Sequence, residues 1–292
     1  MSTGGGAVLD TPGADSLRRR ILGSRGGTSA LLFGGGALVA IAIIAIIGLW
    51  YTPYDPTAFA VRLRLAAPSL AHPFGTDEFG RDVMSRVLAG AHLSLAIGFG
   101  AMLVSLALGV PLGLLAAFDR GWLGVAIMRG ADLMISLPPI LLGLLILAVT
   151  PPSLGKTILA VGLVYVPILV RLSRAVALGL LEEDFVQAAR ARGEGAASIL
   201  AREILPNAWP PIIVECGLRV TFAILLGASL SFLGLGPQPP SSEWGLMIAE
   251  SREFLAQAPW MGLAPGLCLC ALLVAVNVAG EGLRARLDPS HA

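Results

Sequence analysis

Long apolar runs constrain this chain before anything else does. The stretch from about Ala30 to Tyr51 (ALLFGGGALVAIAIIAIIGLWY) carries no charge, and mainly apolar runs follow near 93–117, 127–149, 157–179, 212–235 and 261–282. About 20 apolar residues suffice for a helix to cross a bilayer core, and backbone inside lipid must satisfy its own hydrogen bonds. With 55% hydrophobic and only 13% charged residues, the chain has too little polar surface to coat so many runs in water. An all-α, polytopic membrane protein with six spans follows. The first run is preceded by Arg18, Arg19, Arg20 and Arg25, as a secretion signal would be. It is too long for a signal core and lacks a small-x-small cleavage site, so it reads as a retained helix, ending in an interfacial Trp50-Tyr51 pair.

Six spans put both termini on one side. Arginines gather in the segments that this topology places inside, among them Arg120, Arg129, Arg171, Arg174, Arg190, Arg192, Arg202, Arg284 and Arg286. The positive-inside bias therefore predicts cytoplasmic N- and C-termini. The expected organisation is a tail over 1–28, a first helix over 29–51 and an external segment over 52–92. A core of five helices over 93–282 and a tail over 283–292 complete it. The spans are interrupted: Pro111, Pro138, Pro139, Pro167 and Pro265 fall inside them, and Gly109/Gly113 and Gly262/Gly266 have the small-xxx-small spacing of close helix packing.

The polar interval Glu182–Pro211 (EEDFVQAARARGEGAASILAREILPNAWPP) is helical in pattern despite its charge. Phe185-Val186, Ala188-Ala189, Ile199-Leu200 and Ile204-Leu205 recur at helical spacing. Gly193 and Gly195 interrupt the pattern, and Pro206, Pro210 and Pro211 are expected to end it. Two short amphipathic helices with a glycine bend follow, lying in the cytoplasm. A hairpin of this kind lies on anionic lipid or docks with a soluble partner.

Other chemistry is thinly supported. Cys216, Cys268 and Cys270 have no metal-ligand spacing, and His72, His92 and His291 are isolated. The dispersed basic residues and a net charge of +1 give no nucleic-acid surface. Ser153-Leu154-Gly155-Lys156-Thr157 imitates the end of a phosphate loop but lacks its first glycine and its strand-to-helix setting. No cofactor is expected. Glu215 and Arg219 stand one helical turn apart in the fifth span and are expected to pair. Arg129, Asp132, Arg171 and Arg174 read as residues that set helix depth, and Asn277 as a packing residue. Met247–Leu255 is expected to form a short helix on the membrane surface, or to pack as a re-entrant element.

Four stretches resemble one family. Gln187-Ala188-Ala189, Gly193 and Leu205-Pro206 look like the cytoplasmic coupling loop of ATP-binding-cassette importer permeases. His72-Pro73-Phe74-Gly75-Thr76-Asp77-Glu78-Phe79-Gly80-Arg81-Asp82-Val83, continuing to Ser85-Arg86, is similar to a motif of the dipeptide, oligopeptide and nickel permeases. So are Leu230–Pro237 with Glu243-Trp244-Gly245, and Gly280-Glu281-Gly282-Leu283-Arg284 through Leu287-Asp288-Pro289. The resemblance implies a type I importer permease, with Phe185, Gln187, Ala188, Ala189, Arg190, Arg192, Gly193, Ile204, Leu205 and Pro206 forming the loop that seats in an ATPase groove. It implies a second homologous permease, one or two separate ATPases, an extracytoplasmic substrate-binding protein and a bacterial inner membrane. The implied cargo is peptide, with nickel or another small solute as the alternative. Gln187 replaces the family's usual Glu, and Gly227 stands where relatives often carry an acid. From other classes, an ion-coupled transporter or channel would call for an inverted repeat and midplane acids. An intramembrane enzyme would call for paired Asp or Ser/His deep in the spans. Neither pattern is found in the sequence.

Overall fold

The computed structural model describes the backbone of residues 13–287 apart from 120 and 150, and side chains from Ser29 onward. Residues 1–12 of the predicted tail, Arg120 and the closing residues 288–292 lie outside the described residues. The described chain is helical: α1 (Gly13–Trp50), α2 (Val83–Phe118), α3 (Trp122–Ile135), α4 (Pro139–Ala148), α5 (Leu154–Leu180), α6 (Asp184–Ala191), α7 (Ala196–Ser198), α8 (Leu205–Phe232), α9 (Trp244–Ser251) and α10 (Trp260–Leu287). Among them, five are long and apolar enough to cross a membrane, or six if the bent pair α3–α4 counts as one.

The bundle is organised on α2 and α5. Gly109 and Gly113 meet α5 so closely that a Cβ would stand 2.7 Å from the Leu169 side chain and 2.5 Å from the Val170 carbonyl, respectively. From the other side, Gly162 of α5 lies against Val104 and Ala101, and Ser105 Oγ donates to the Gly162 carbonyl at 2.6 Å. The first small-xxx-small pair is thus an interface. In the second, Gly262 abuts Ser251, whereas a Cβ on Gly266 would meet nothing within 4 Å. α1 packs along α10 and α2, with Leu31 beside Gly282 and Leu88 beside Gly48. Its starting end therefore shares one end of the bundle with the finish of α10.

The structure redraws several predicted boundaries. The span expected over 127–149 is two helices meeting at 96°. Pro138 and Pro139 explain the break: the ring disfavours helical backbone at the residue before it, and Pro139 opens α4 in its first turn, where no donor is needed. α2 begins at Val83, well before the predicted span at 93, because Asp82 caps it and accepts from the Ser85 amide at 2.7 Å. The supposed surface helix begins at Trp244 and is packed into the bundle. Trp244, Met247 and Ser251 are buried between α2, α8 and α10, and Trp244 Nε1 donates to the Val87 carbonyl at 2.9 Å. Ser153 caps α5, and its carbonyl accepts from Thr157 Oγ1. The false phosphate loop is a helix start.

Candidate coupling site

α5 and α8 are joined by the hairpin that the sequence singles out. α6 runs Asp184–Ala191, and Gly193 then takes φ +81°, left-handed backbone that costs L residues energy. Gly195 needs no such freedom, so Gly193 alone makes the bend. The second limb departs from expectation. It is not a separate short helix ended by prolines: Ala196–Ser198, a π-helical stretch Ile199–Ile204 and α8 run on as one rod into the membrane. Pro206 cannot donate backward, and the wider π turn just before it absorbs the missing bond. Pro210 and Pro211 lie within α8 without stopping it.

The hairpin is built onto the bundle. Val186, Ala189, Ile199 and Ile204 are buried in the same cluster as Leu114 and Ala117 of α2, Ala177 of α5 and Ala208 and Ile212 of α8. Fully burying side chains of the size of Val186, Ile199 and Ile204 stabilises by roughly 1.5–3 kcal/mol each, so the two limbs and the bundle are held as one body. An apolar groove of about 640 Å³ remains beside it, between Leu103, Val110 and Pro111 of α2 and Leu200, Leu205 and Trp209.

The ten residues assigned to the loop fall into distinct groups. Gln187, Ala188, Arg190, Arg192, Gly193 and Pro206 are exposed; Ala189 and Ile204 are buried; Phe185 and Leu205 are half-buried. The two alanines thus face opposite ways, Ala188 outward and Ala189 into the hairpin's own core. Gln187 Nε2 donates to the Leu181 carbonyl at 3.1 Å, closing the end of α5. A carboxylate there has no proton to give, which supplies a reason for Gln in this chain. Arg192 is engaged within the hairpin, 2.6 Å from Glu194 and 3.5 Å from Glu203. The hydrogen bond from Arg192, aided by Ser198, holds the exposed Glu194 carboxyl below its ordinary range. Arg190 has no ion pair among the described residues, leaving it the freer of the two cations.

The predicted pair in α8 forms: Arg219 Nε and Nη2 both reach Glu215 Oε1 at 2.6 Å, with Phe222 beneath the guanidinium. Gly227 has no room for the acid of relatives. A Cβ there would stand 2.2 Å from Ile97 Cγ2.

At the opposite end lies a site the sequence quoted as a motif without explaining. Asp77 accepts from Arg81 Nε at 2.6 Å and Arg86 Nη1 at 2.8 Å, and from the Phe79 and Arg81 amides. Arg86 Nη2 reaches Glu250 Oε2 at 2.8 Å, although Arg86 is only 2% exposed. Asp82 accepts from Ser85 and bonds His72 Nδ1 at 2.9 Å, and Trp260 Nε1 donates to the Thr76 carbonyl. The motif residues therefore clamp the segment before α2 onto α9 and α10. Glu243 caps α9 with both oxygens, accepting from Gly245 and Leu246. Burial pushes its carboxyl above the ordinary range, against the pull of those amides. The density of Asp, Arg and Gly in 75–86 was the signal available. Which charges meet was not readable from it.

A bundle of broken, closely packed helices with a rigid surface hairpin between two spans is the architecture of a transporter permease. It is shared with a chain of the MetNI methionine ABC transporter in its inward-facing form, at a TM-score of 0.58 and 18% identity over 70% of this chain and 98% of that one. The chain belongs to the binding-protein-dependent transport system inner membrane components, whose family model matches residues 109–291. It is 40% identical to the di/tripeptide transport system permease protein DppC of Pseudomonas aeruginosa, over 91% of this chain and 88% of that protein. Against the dipeptide transport system permease protein DppC of Alkalihalophilus pseudofirmus the identity is 45%, over 77% and 74%. The protein is a multi-pass permease subunit of the bacterial inner membrane, working with ATPase and substrate-binding partners.

Proposed function

We propose that this chain is one of two non-identical permeases of an ATP-driven importer of di- and oligopeptides, with its hairpin and both termini in the cytoplasm and six spans in the membrane, α3–α4 forming the broken one. Peptide is supported by the relatives named above, and the cytoplasmic hairpin by the arginines around it. Separate ATPase subunits, one kind or two, hydrolyse ATP, and an extracytoplasmic binding protein delivers cargo.

The observation that carries the coupling role is the single buried core shared by the hairpin, α2, α5 and α8. A push on the exposed face of Gln187, Ala188 and Arg190 moves α5 and α8 together, because no soft joint lies between. Arg190 pairs with an acidic rim of the ATPase, while Arg192 stiffens the bend from within. Alternating access follows from tilting these two spans against the partner permease. The test is disulfide trapping in the assembled complex. A cysteine at Ala188 should cross-link to a cysteine scanned along the ATPase groove, and the trapped complex should bind ATP but not transport. Failure at every groove position would refute the coupling role.

A further inference from the structure

One charged cluster sits where neither the hairpin nor the opposite-end clamp uses it. Asp132 lies ten residues into α3 and Arg171 nine residues before the end of α5, about 14–15 Å from those helix ends. Their neighbours Leu133, Ile135, Leu169 and Leu172 are apolar. Arg171 Nη2 meets Asp132 Oδ1 at 2.5 Å, and Arg129 Nη1 stands 3.9 Å from Asp132 Oδ2.

The cluster differs from the opposite-end clamp in one decisive respect. Asp77 and Arg86 are each about 2% exposed and fully engaged, whereas the Arg171 and Asp132 side chains are 50% and 38% exposed. Arg171 makes a single contact, so its remaining donors are unused. Charges at this depth do not face lipid; they face protein or a water-filled path. The lipid-like surface lies elsewhere, on α1, which packs along α10 and α2 and exposes Leu32, Phe33, Ile46 and Leu49. Just beyond Asp132 the backbone breaks at 136–138, and irregular backbone at membrane depth is tolerated where it lines a cavity.

We propose that Asp132 and Arg171 form a station for zwitterionic cargo on the permeation path. This rests on the peptide-permease reading above. The cargo's carboxylate takes the free fork of Arg171, which favours planar two-point recognition. Its ammonium takes Asp132, so one internal ion pair is exchanged for two intermolecular ones. Arg129 leaves the cluster with one excess positive charge, and the carboxylate is accordingly the better-held end.

The test uses the assembled permease–ATPase complex in nanodiscs without binding protein, so that the delivery protein's selectivity does not enter. The probe is a radiolabelled alanyl dipeptide carrying a diazirine side chain, compared with its C-terminal amide. The wild type should be photolabelled near 132–140, with at least about tenfold preference for the free carboxylate. Arg171→Gln should bring that ratio to about one, and Arg171→Lys should restore part of it. A purely structural pair would lower labelling by both peptides and leave the ratio unchanged, which overturns the inference. Equal labelling of the wild type by both peptides also overturns it. ATP-driven dipeptide uptake by the wild-type complex with its binding protein is measured alongside. Its absence would sink the peptide-permease reading itself, while normal uptake with an unchanged ratio would sink the station alone.

Discussion

Replacing Gly193 separates backbone geometry from bulk at the bend. The residue has φ +81° and a Cβ built on it meets nothing within 4 Å, so any penalty is conformational rather than a clash. Asn tolerates this region nearly as well as Gly, an ordinary residue such as Ala loses about 1–2 kcal/mol, and β-branched Val sits toward the upper part of a 1–3 kcal/mol range. At 1.4 kcal/mol per tenfold, Val lowers the weight of the native bend by on the order of 5- to 150-fold. The hairpin core of Val186, Ile199 and Ile204 lies on the limbs and is untouched, so insertion and folding persist. Reconstituted complex should therefore show transport falling in the order Gly, Asn, Ala, Val. ATPase activity should fall less, because the stroke is made but not passed on. Asn damaging transport as much as Val would show that bulk against the ATPase, not backbone strain, decides. A Val variant as active as the wild type would refute the bend's role altogether.

Three other substitutions probe the remaining features. Arg86→Ala leaves Glu250 and part of Asp77 unpaired in a buried setting, costing about 3–5 kcal/mol; a lowered detergent melting temperature and faster proteolysis within 52–82 should follow, and an unchanged melt would refute the clamp. Gly227→Ala drives a Cβ into Ile97 and should cost about 1–3 kcal/mol by overpacking, with Ile97→Ala in the same chain recovering most of it; a double variant no better than the sum of the singles would refute the contact. Burial raises the Glu243 carboxyl, so the folded chain holds that proton more tightly than the unfolded one. Its contribution is complete below the ordinary value of 4.5 and is lost as pH rises through the raised one. Amide protection across Trp244–Ser251, corrected for intrinsic exchange, should fall over that window in the wild type and stay flat in Glu243→Gln.

By itself the sequence determined the class of protein. Apolar runs of bilayer length leave helices as the only solution, and Glu182–Pro211 stands out because amphipathic period persists there amid charge. Gly193 was legible for the same local reason: one glycine between two periodic limbs has to turn the chain. What only the tertiary structure decided depends on contacts distant in sequence. Pro138 and Pro206 are chemically alike, yet one marks a 96° break and the other sits in a rod that runs on, because packing around Ile199, Ile204 and Ala208 holds the second limb in line. Ala188 and Ala189 looked equivalent until the hairpin core claimed one of them. Arg86 and Arg171 carry the same charge, but Asp77 and Glu250 saturate the first while Asp132 only half-engages the second. Ionic partners brought together from far along the chain leave no periodic trace, since the pairing is set by how the helices cross.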